Sequence, residues 1–109
     1  MARVAEHWEM AMPKQFFVYM MTNFRHGSIY TGVTSNLPVR VWQHRNHAFK
    51  GSFTDRYDLT VLVWYEPHEN AAAAIEREKQ LKDWHRSWKV ELIEAVNPRW
   101  NDLWDEIVQ

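Results

Sequence analysis

No cysteine occurs among the 109 residues, which excludes disulfides, thiolate metal sites and a thiol nucleophile. Glycine is scarce, with three in all. They form no phosphate-cradling loop, no dinucleotide fingerprint and no Gly-x-Ser-x-Gly elbow. His44, His47 and His85 have no recognisable zinc spacing. Long apolar runs are missing too: the longest strongly apolar stretch, Phe16 to Met21, falls far short of the ~20 residues that span a bilayer. The first 14 residues contain Glu6 and Glu9 and no apolar centre, so they do not read as a secretory signal. These absences fit a reducing compartment; a cytoplasmic protein without membrane attachment is expected.

What is present is ordinary for a folded chain. Hydrophobic residues make up 46% and charged residues 25%, which argues against wholesale disorder. The length suits one hydrophobic core. Residues 1–14 are expected to be a loosely ordered leader and 15–109 a single domain. The net charge of −1 hides an asymmetry. Residues 14–57 carry Lys14, Arg25, Arg40, Arg45, Lys50 and Arg56 against Asp55 alone, a net +5, whereas residues 58–109 carry a net −5. A basic half attracts a polyanion locally and in a salt-sensitive way even when the whole chain is nearly neutral. Arg45, Lys50 and Arg56 are therefore candidate nucleic-acid contacts.

Residues 15–22 and 28–34 are rich in β-branched and aromatic types and predict two strands. The turn-forming segment 23–27, with Asn23 and Gly27, makes them an antiparallel hairpin. If Thr22 pairs with Gly27, Tyr19 sits opposite Tyr30 and Phe17 opposite Gly32. Both phenols then project from one face, beside a glycine whose missing side chain leaves room for a close ligand. Val18, Met20, Ile29 and Val33 supply the core on the other face.

Ser35 or Asn36 caps a helix from 37 to about 47, with Pro38 in its first turn. At 100° per residue Leu37, Val41, His44 and Ala48 share one buried stripe, flanked by Arg40. Trp42, about 140° from Leu37, is a candidate for base stacking, for a dimer seal or for packing under the loop 49–58. A strand is expected over 59–65. Asn70 caps a helix over 71–84, whose inner face reads Ala71, Ala74, Ile75, Glu78 and Leu81. Glu78 is the one acid on that face. Trp88, Leu92 and Ala95 mark another helix, and a last one starts at Asn97-Pro98, with Trp100, Leu103, Trp104 and Ile107 on one stripe. Asn97 reads as its N-cap.

A tyrosine pair, an Arg/His pair and a lone inward glutamate remain to be explained. A charge on a buried stripe costs several kcal/mol unless it is paired or liganded. Phosphate would compensate Arg40, and a metal ion would compensate Glu78.

The order Val18-Tyr19-Met20, Tyr30-Thr31-Gly32, Asn36-Leu37 through Arg40 to Gln43-His44, and Arg77-Glu78-Lys79-Gln80 with Lys82 and Trp84 resembles the GIY-YIG nuclease superfamily. The likeness is greatest to its small single-domain bacterial branch, related to the N-terminal domain of the excision-repair endonuclease (excinuclease), and spans roughly residues 15–106. Both tyrosines and Gly32 are kept, while Val18 stands in place of the first glycine and Thr31 in place of an isoleucine. The resemblance implies an α/β (α+β) fold, a small three-stranded mixed or antiparallel sheet flanked by helices. It implies hydrolysis of phosphodiester bonds in DNA or structured nucleic acid, DNA being favoured over RNA, with one Mg²⁺ or Mn²⁺. By position Tyr19 is the phenol that helps deprotonate the attacking water, and Tyr30 holds phosphate or water. Arg40 neutralises phosphoryl charge, His44 relays a proton, Glu78 holds the metal and Gly32 lies against the nucleic acid. With no appended recognition domain, targeting is expected from a homodimer or a partner protein. The rival is a non-catalytic nucleic-acid-binding or protein-interaction module on the same scaffold.

Overall fold

The computed structural model describes residues 15–109; the expected leader, 1–14, lies outside the described residues. Strands β1 (Phe16–Thr22) and β2 (Ile29–Thr34) are followed by helices α1 (Leu37–Arg45) and α2 (Phe53–Arg56). Then come β3 (Val61–His68), α3 (Ala71–Asp83), α4 (Arg86–Val96) and the short α5 (Trp104–Ile107). The three strands form one antiparallel sheet in the order β2-β1-β3, so the fold is a small α+β sheet flanked by helices. Among the described residues no helix is long and apolar enough to cross a membrane.

Local chemistry explains the helix starts. The Asn36 side chain accepts a hydrogen bond from the Val39 amide and that of Asn70 from the Ala73 amide, at 3.3 and 2.8 Å. Caps of this kind are worth about 1 kcal/mol each. At the other end α1 stops at Arg45, earlier than its apolar stripe predicts. Asn46 caps the last turn and His47 takes a left-handed φ of 53°. Ala48 is consequently exposed, not part of the stripe.

The hairpin register differs from the sequence expectation by two residues. Tyr19 pairs with Gly32, Met21 with Tyr30 and Thr22 with Ile29. The turn spans 23–28, closed by the Gly27 amide donating to the Phe24 carbonyl at 2.8 Å, with His26 at φ 61°. A two-residue slip leaves every side chain on its own face, so Tyr19 and Tyr30 stay together as diagonal neighbours, ring centroids 6.2 Å apart. The third strand runs through Pro67, past the expected end at 65. It lies at the sheet edge, where a missing amide is tolerated. Between Met20 and Met21 the pairing jumps from Trp64 to Leu62, leaving Val63 as the extra residue of a bulge.

Both faces of the sheet are buried, which the reading of a single apolar face did not anticipate. One face packs Val18, Met20, Val63 and Trp64 against Ala74, Leu81, Ile93 and Trp100, with Ile29 and Val33 at its border. The other packs Tyr19, Met21 and Leu62 against Leu37, Val41 and Leu59, with Leu103, Trp104 and Ile107 closing it. Tyr19 is thus a core residue. On α3, Ala74 and Leu81 are buried but Ile75 is 42% exposed.

The C-terminal segment departs from the expected final helix. Asn97 is the C-cap of α4, not an N-cap. Its amide nitrogen donates to the Val63 and Asn101 carbonyls, and its oxygen accepts the Asn101 amide. Trp100, at φ 56°, stops helical propagation, and its indole N–H donates to Glu94 at 2.7 Å. The Leu103 amide then donates to the Leu62 carbonyl, while Asp102 accepts the Leu62 amide, so this segment satisfies part of the β3 edge.

Candidate active site

Four of the residues singled out from the sequence meet where α1 crosses the sheet. His44, on the stripe that holds Leu37 and Val41 against the sheet, places its ring 5.6 Å from that of Tyr19 and 5.5 Å from that of Tyr30. Its Nε2 is 2.7 Å from the Tyr19 hydroxyl and its Nδ1 is 3.0 Å from Thr54 Oγ1. One turn earlier Arg40 lies half-buried, its guanidinium 5.6 Å from the Phe49 ring centroid. A groove of about 240 Å³ is lined by Tyr30, Arg40, His44, Phe49, Phe53 and Thr54, with Ser52 beside them.

The electrostatics of this cluster follow from burial. His44 is 5% exposed; its pKa is pushed down to about 4, first by loss of water and then by the Arg40 charge. It is neutral at pH 7. The Tyr19 phenol is held well above the ordinary phenol range, by burial and then by Tyr30, with Arg40 opposing. It too is neutral. Tyr19 and His44 share a hydrogen bond whose donor is set by the imidazole tautomer, with the other ring nitrogen facing Thr54.

Gly32 has a clear cause. A Cβ there would lie 2.7 Å from both Cζ and the hydroxyl of Tyr19, and 2.8 Å from Cε2 of Tyr30. The room expected for a ligand is taken by the two phenol rings, and Gly32 itself is buried. This corrects its assignment as a nucleic-acid contact. Tyr19, expected to face the attacking water, is fully buried; the phenol lining the groove is that of Tyr30. The difference in burial has one reason: β1 is the central strand, covered on both faces, while β2 is an edge.

Glu78 does not line this groove. It sits on α3, which packs against the face opposite Tyr19 and His44, with its carboxylate 3.2 Å from Lys82 Nζ and its side chain 16% exposed. Arg40 links the two sides, because it also lines a second groove of about 240 Å³ whose walls include Val33, Thr34, Ala71 and Ile75. Ile75 and Glu78 are three residues apart and so neighbours on the surface of α3. Among the described residues no group of three His, Cys, Asp or Glu side chains could hold a metal. A single, partly open carboxylate fits a hard cation that keeps its waters and takes phosphate oxygens. It does not make an all-protein cage.

The remaining cations are placed differently. Arg45 is paired with Asp102 and lies over the Trp104 ring at 5.0 Å, so its charge is compensated. Lys50 and Arg56 are exposed. Phe49, Ser52, Phe53 and Thr54 were missed by the sequence reading, which treated 49–58 as loop. Their signal was Ser52 three residues before Asp55: the Ser52 hydroxyl accepts the Asp55 amide and caps α2.

Residues 15–91 match the model of the GIY-YIG catalytic domain. The UPF0213 protein SH2523 of Staphylococcus haemolyticus (strain JCSC1435) is 33% identical over 79 residues, covering 72% of this chain and 93% of that protein. The solution NMR structure of the UPF0213 protein BH0048 from Bacillus halodurans superposes with a TM-score of 0.51 at 22% identity, covering 81% of this chain and 92% of that one. That likeness is one of fold. The ordered motifs, the family match over most of the chain and the shared small size lead to one conclusion: the chain belongs to the GIY-YIG family.

Proposed function

We propose that the protein is a divalent-metal-dependent endonuclease that hydrolyses phosphodiester bonds in DNA or structured nucleic acid. The observation that carries this reading is Arg40: it lines both the groove of Tyr30 and neutral His44 and the groove walled by Ala71 and Ile75 of α3, the helix that bears Glu78. A phosphate seated there would have a cation, a phenol and a carboxylate-bearing helix around it.

Glu78 is the residue to hold the cation, which when bound would polarise the phosphate as a Lewis acid. Arg40 neutralises charge growing on the phosphoryl oxygens, its planar fork matching their geometry. Tyr30, the phenol lining the groove, hydrogen-bonds the attacking water or a phosphate oxygen. Tyr19 and His44 act behind it as positioning residues. With a pKa near 4, His44 holds Tyr19 by hydrogen bonding and stores no proton at neutral pH. Burial of the Tyr19 phenol removes it from contact with water.

The test is nicking of supercoiled plasmid, branched duplex, single-stranded DNA and RNA with Mg²⁺ or Mn²⁺. Arg40→Ala and Glu78→Ala are each expected to reduce cleavage by roughly 10²-fold or more, the scale for losing one transition-state charge contact. Cleavage by Glu78→Ala at the wild-type rate would refute the metal assignment. Binding without cleavage under every metal would favour a non-catalytic nucleic-acid-binding module.

A further inference from the structure

Helix α1 has a second groove on its other side. Trp42 lies about 160° around the helix from His44 and is 53% exposed. With Arg45, Asn46, Thr60, Asp102 and Trp104 it lines a groove of about 520 Å³, a volume within the roughly 300–1,000 Å³ of small-ligand pockets. Asp102 and Trp104 belong to the C-terminal segment beyond the residues matched by the family model.

The charges in this groove cancel. Arg45 is paired with one oxygen of Asp102 and lies over the Trp104 ring, and the other oxygen accepts the Leu62 and Trp104 amides. A phosphate would have to compete with Asp102 for Arg45. What the groove offers is the half-exposed Trp42 side chain beside Asn46, whose amide nitrogen donates to the Trp42 carbonyl, together with Thr60 and the compensated ion pair. Such a surface suits an uncharged planar ring with a hydrogen-bonding edge. Only α1, about 10–12 Å thick, separates it from the groove of Tyr30 and Arg40.

We propose that this groove is a nucleobase-binding subsite, in which an unpaired base of a strand held at the Arg40 groove stacks on Trp42. The proposal rests on the nucleic-acid reading above and adds a contact built from this chain's own C-terminal segment. Base–aromatic stacking is worth about 1–3 kcal/mol per base, which corresponds to a roughly 5- to 150-fold change in affinity.

The experiment measures binding of a fluorescein-labelled single-stranded octanucleotide by anisotropy, in EDTA so that nothing is cut. The intact strand is compared with eight strands that each carry one abasic position. The wild type is expected to lose 5-fold or more in affinity at one particular abasic position. Trp42→Ala should bind the intact strand that much more weakly and lose nothing further at that position. Trp42→Phe should recover part of the loss. Far-UV circular dichroism checks that each variant is folded. Wild-type affinity in Trp42→Ala, or an abasic profile unchanged by the substitution, overturns the subsite but leaves the nuclease reading standing. No binding by the wild type to any strand overturns the subsite, and the nuclease reading is then decided by the metal-dependent cleavage of plasmid, branched duplex and RNA. Binding that depends on Trp42 without cleavage in metal retains the subsite and defeats the endonuclease.

Discussion

His44 should make the fold acid-labile in a defined window. In the unfolded chain its imidazole takes a proton near pH 6.5, whereas in the fold it resists until about pH 4, because burial and then the Arg40 charge disfavour the cation. Between these values the unfolded chain binds more protons than the folded one, so stability falls as pH falls. The contribution is fully present above pH 6.5 and gone below pH 4. At 1.36 kcal/mol per unit, the gap amounts to about 3 kcal/mol, a large share of the roughly 5–15 kcal/mol typical of a domain. The assay is urea unfolding followed by far-UV circular dichroism from pH 7.5 to 4.0, comparing wild type with His44→Gln. The Gln carboxamide does not titrate. Asp55, whose carboxyl is held below its ordinary range chiefly by the Gly51 amide, also loses stabilisation in acid, but it is common to both chains and cancels in the difference. The wild type should lose about 3 kcal/mol more than the variant across the window. Parallel curves would refute the argument, since they would mean that His44 titrates alike in both states.

Two further substitutions test the packing around the site. Gly32→Ala sets a methyl group against two aromatic rings, one of them fully buried and pinned by His44. It should cost about 1–3 kcal/mol without any nucleic acid present, and a urea midpoint equal to wild type would show that Gly32 is open space after all. Among the described residues Thr31 Oγ1 is buried with no hydrogen-bond partner, a situation that costs about 1–3 kcal/mol. Thr31→Val keeps the shape and removes the orphan, so thermal unfolding should move upward; a lower midpoint would refute this account of Thr31.

Much of the fold follows from local chemistry and was legible without coordinates. Asn36 and Asn70 each fall just before a helical apolar pattern and cap it through their own side chains, a matter of three or four residues. The face shared by Tyr19 and Tyr30 survived a two-residue error in register because side chains alternate with period two. Helical periodicity likewise put His44 on one stripe with Leu37 and Val41, without saying which face of the sheet that stripe meets.

What the sequence by itself determined, then, is which residues share a face, where helices begin and which polar groups need partners. These depend on spacing along the chain. Only the tertiary structure decided which of the two phenols is sealed and which lines a groove, because that depends on β1 lying between β2 and β3. The same holds for Arg45, whose charge is compensated by Asp102 from 57 residues away, and for Asn97, drawn from an expected helix start to the β3 backbone. Burial and pairing across such distances are set by the order in which elements stack, and one-dimensional periodicity carries no record of it.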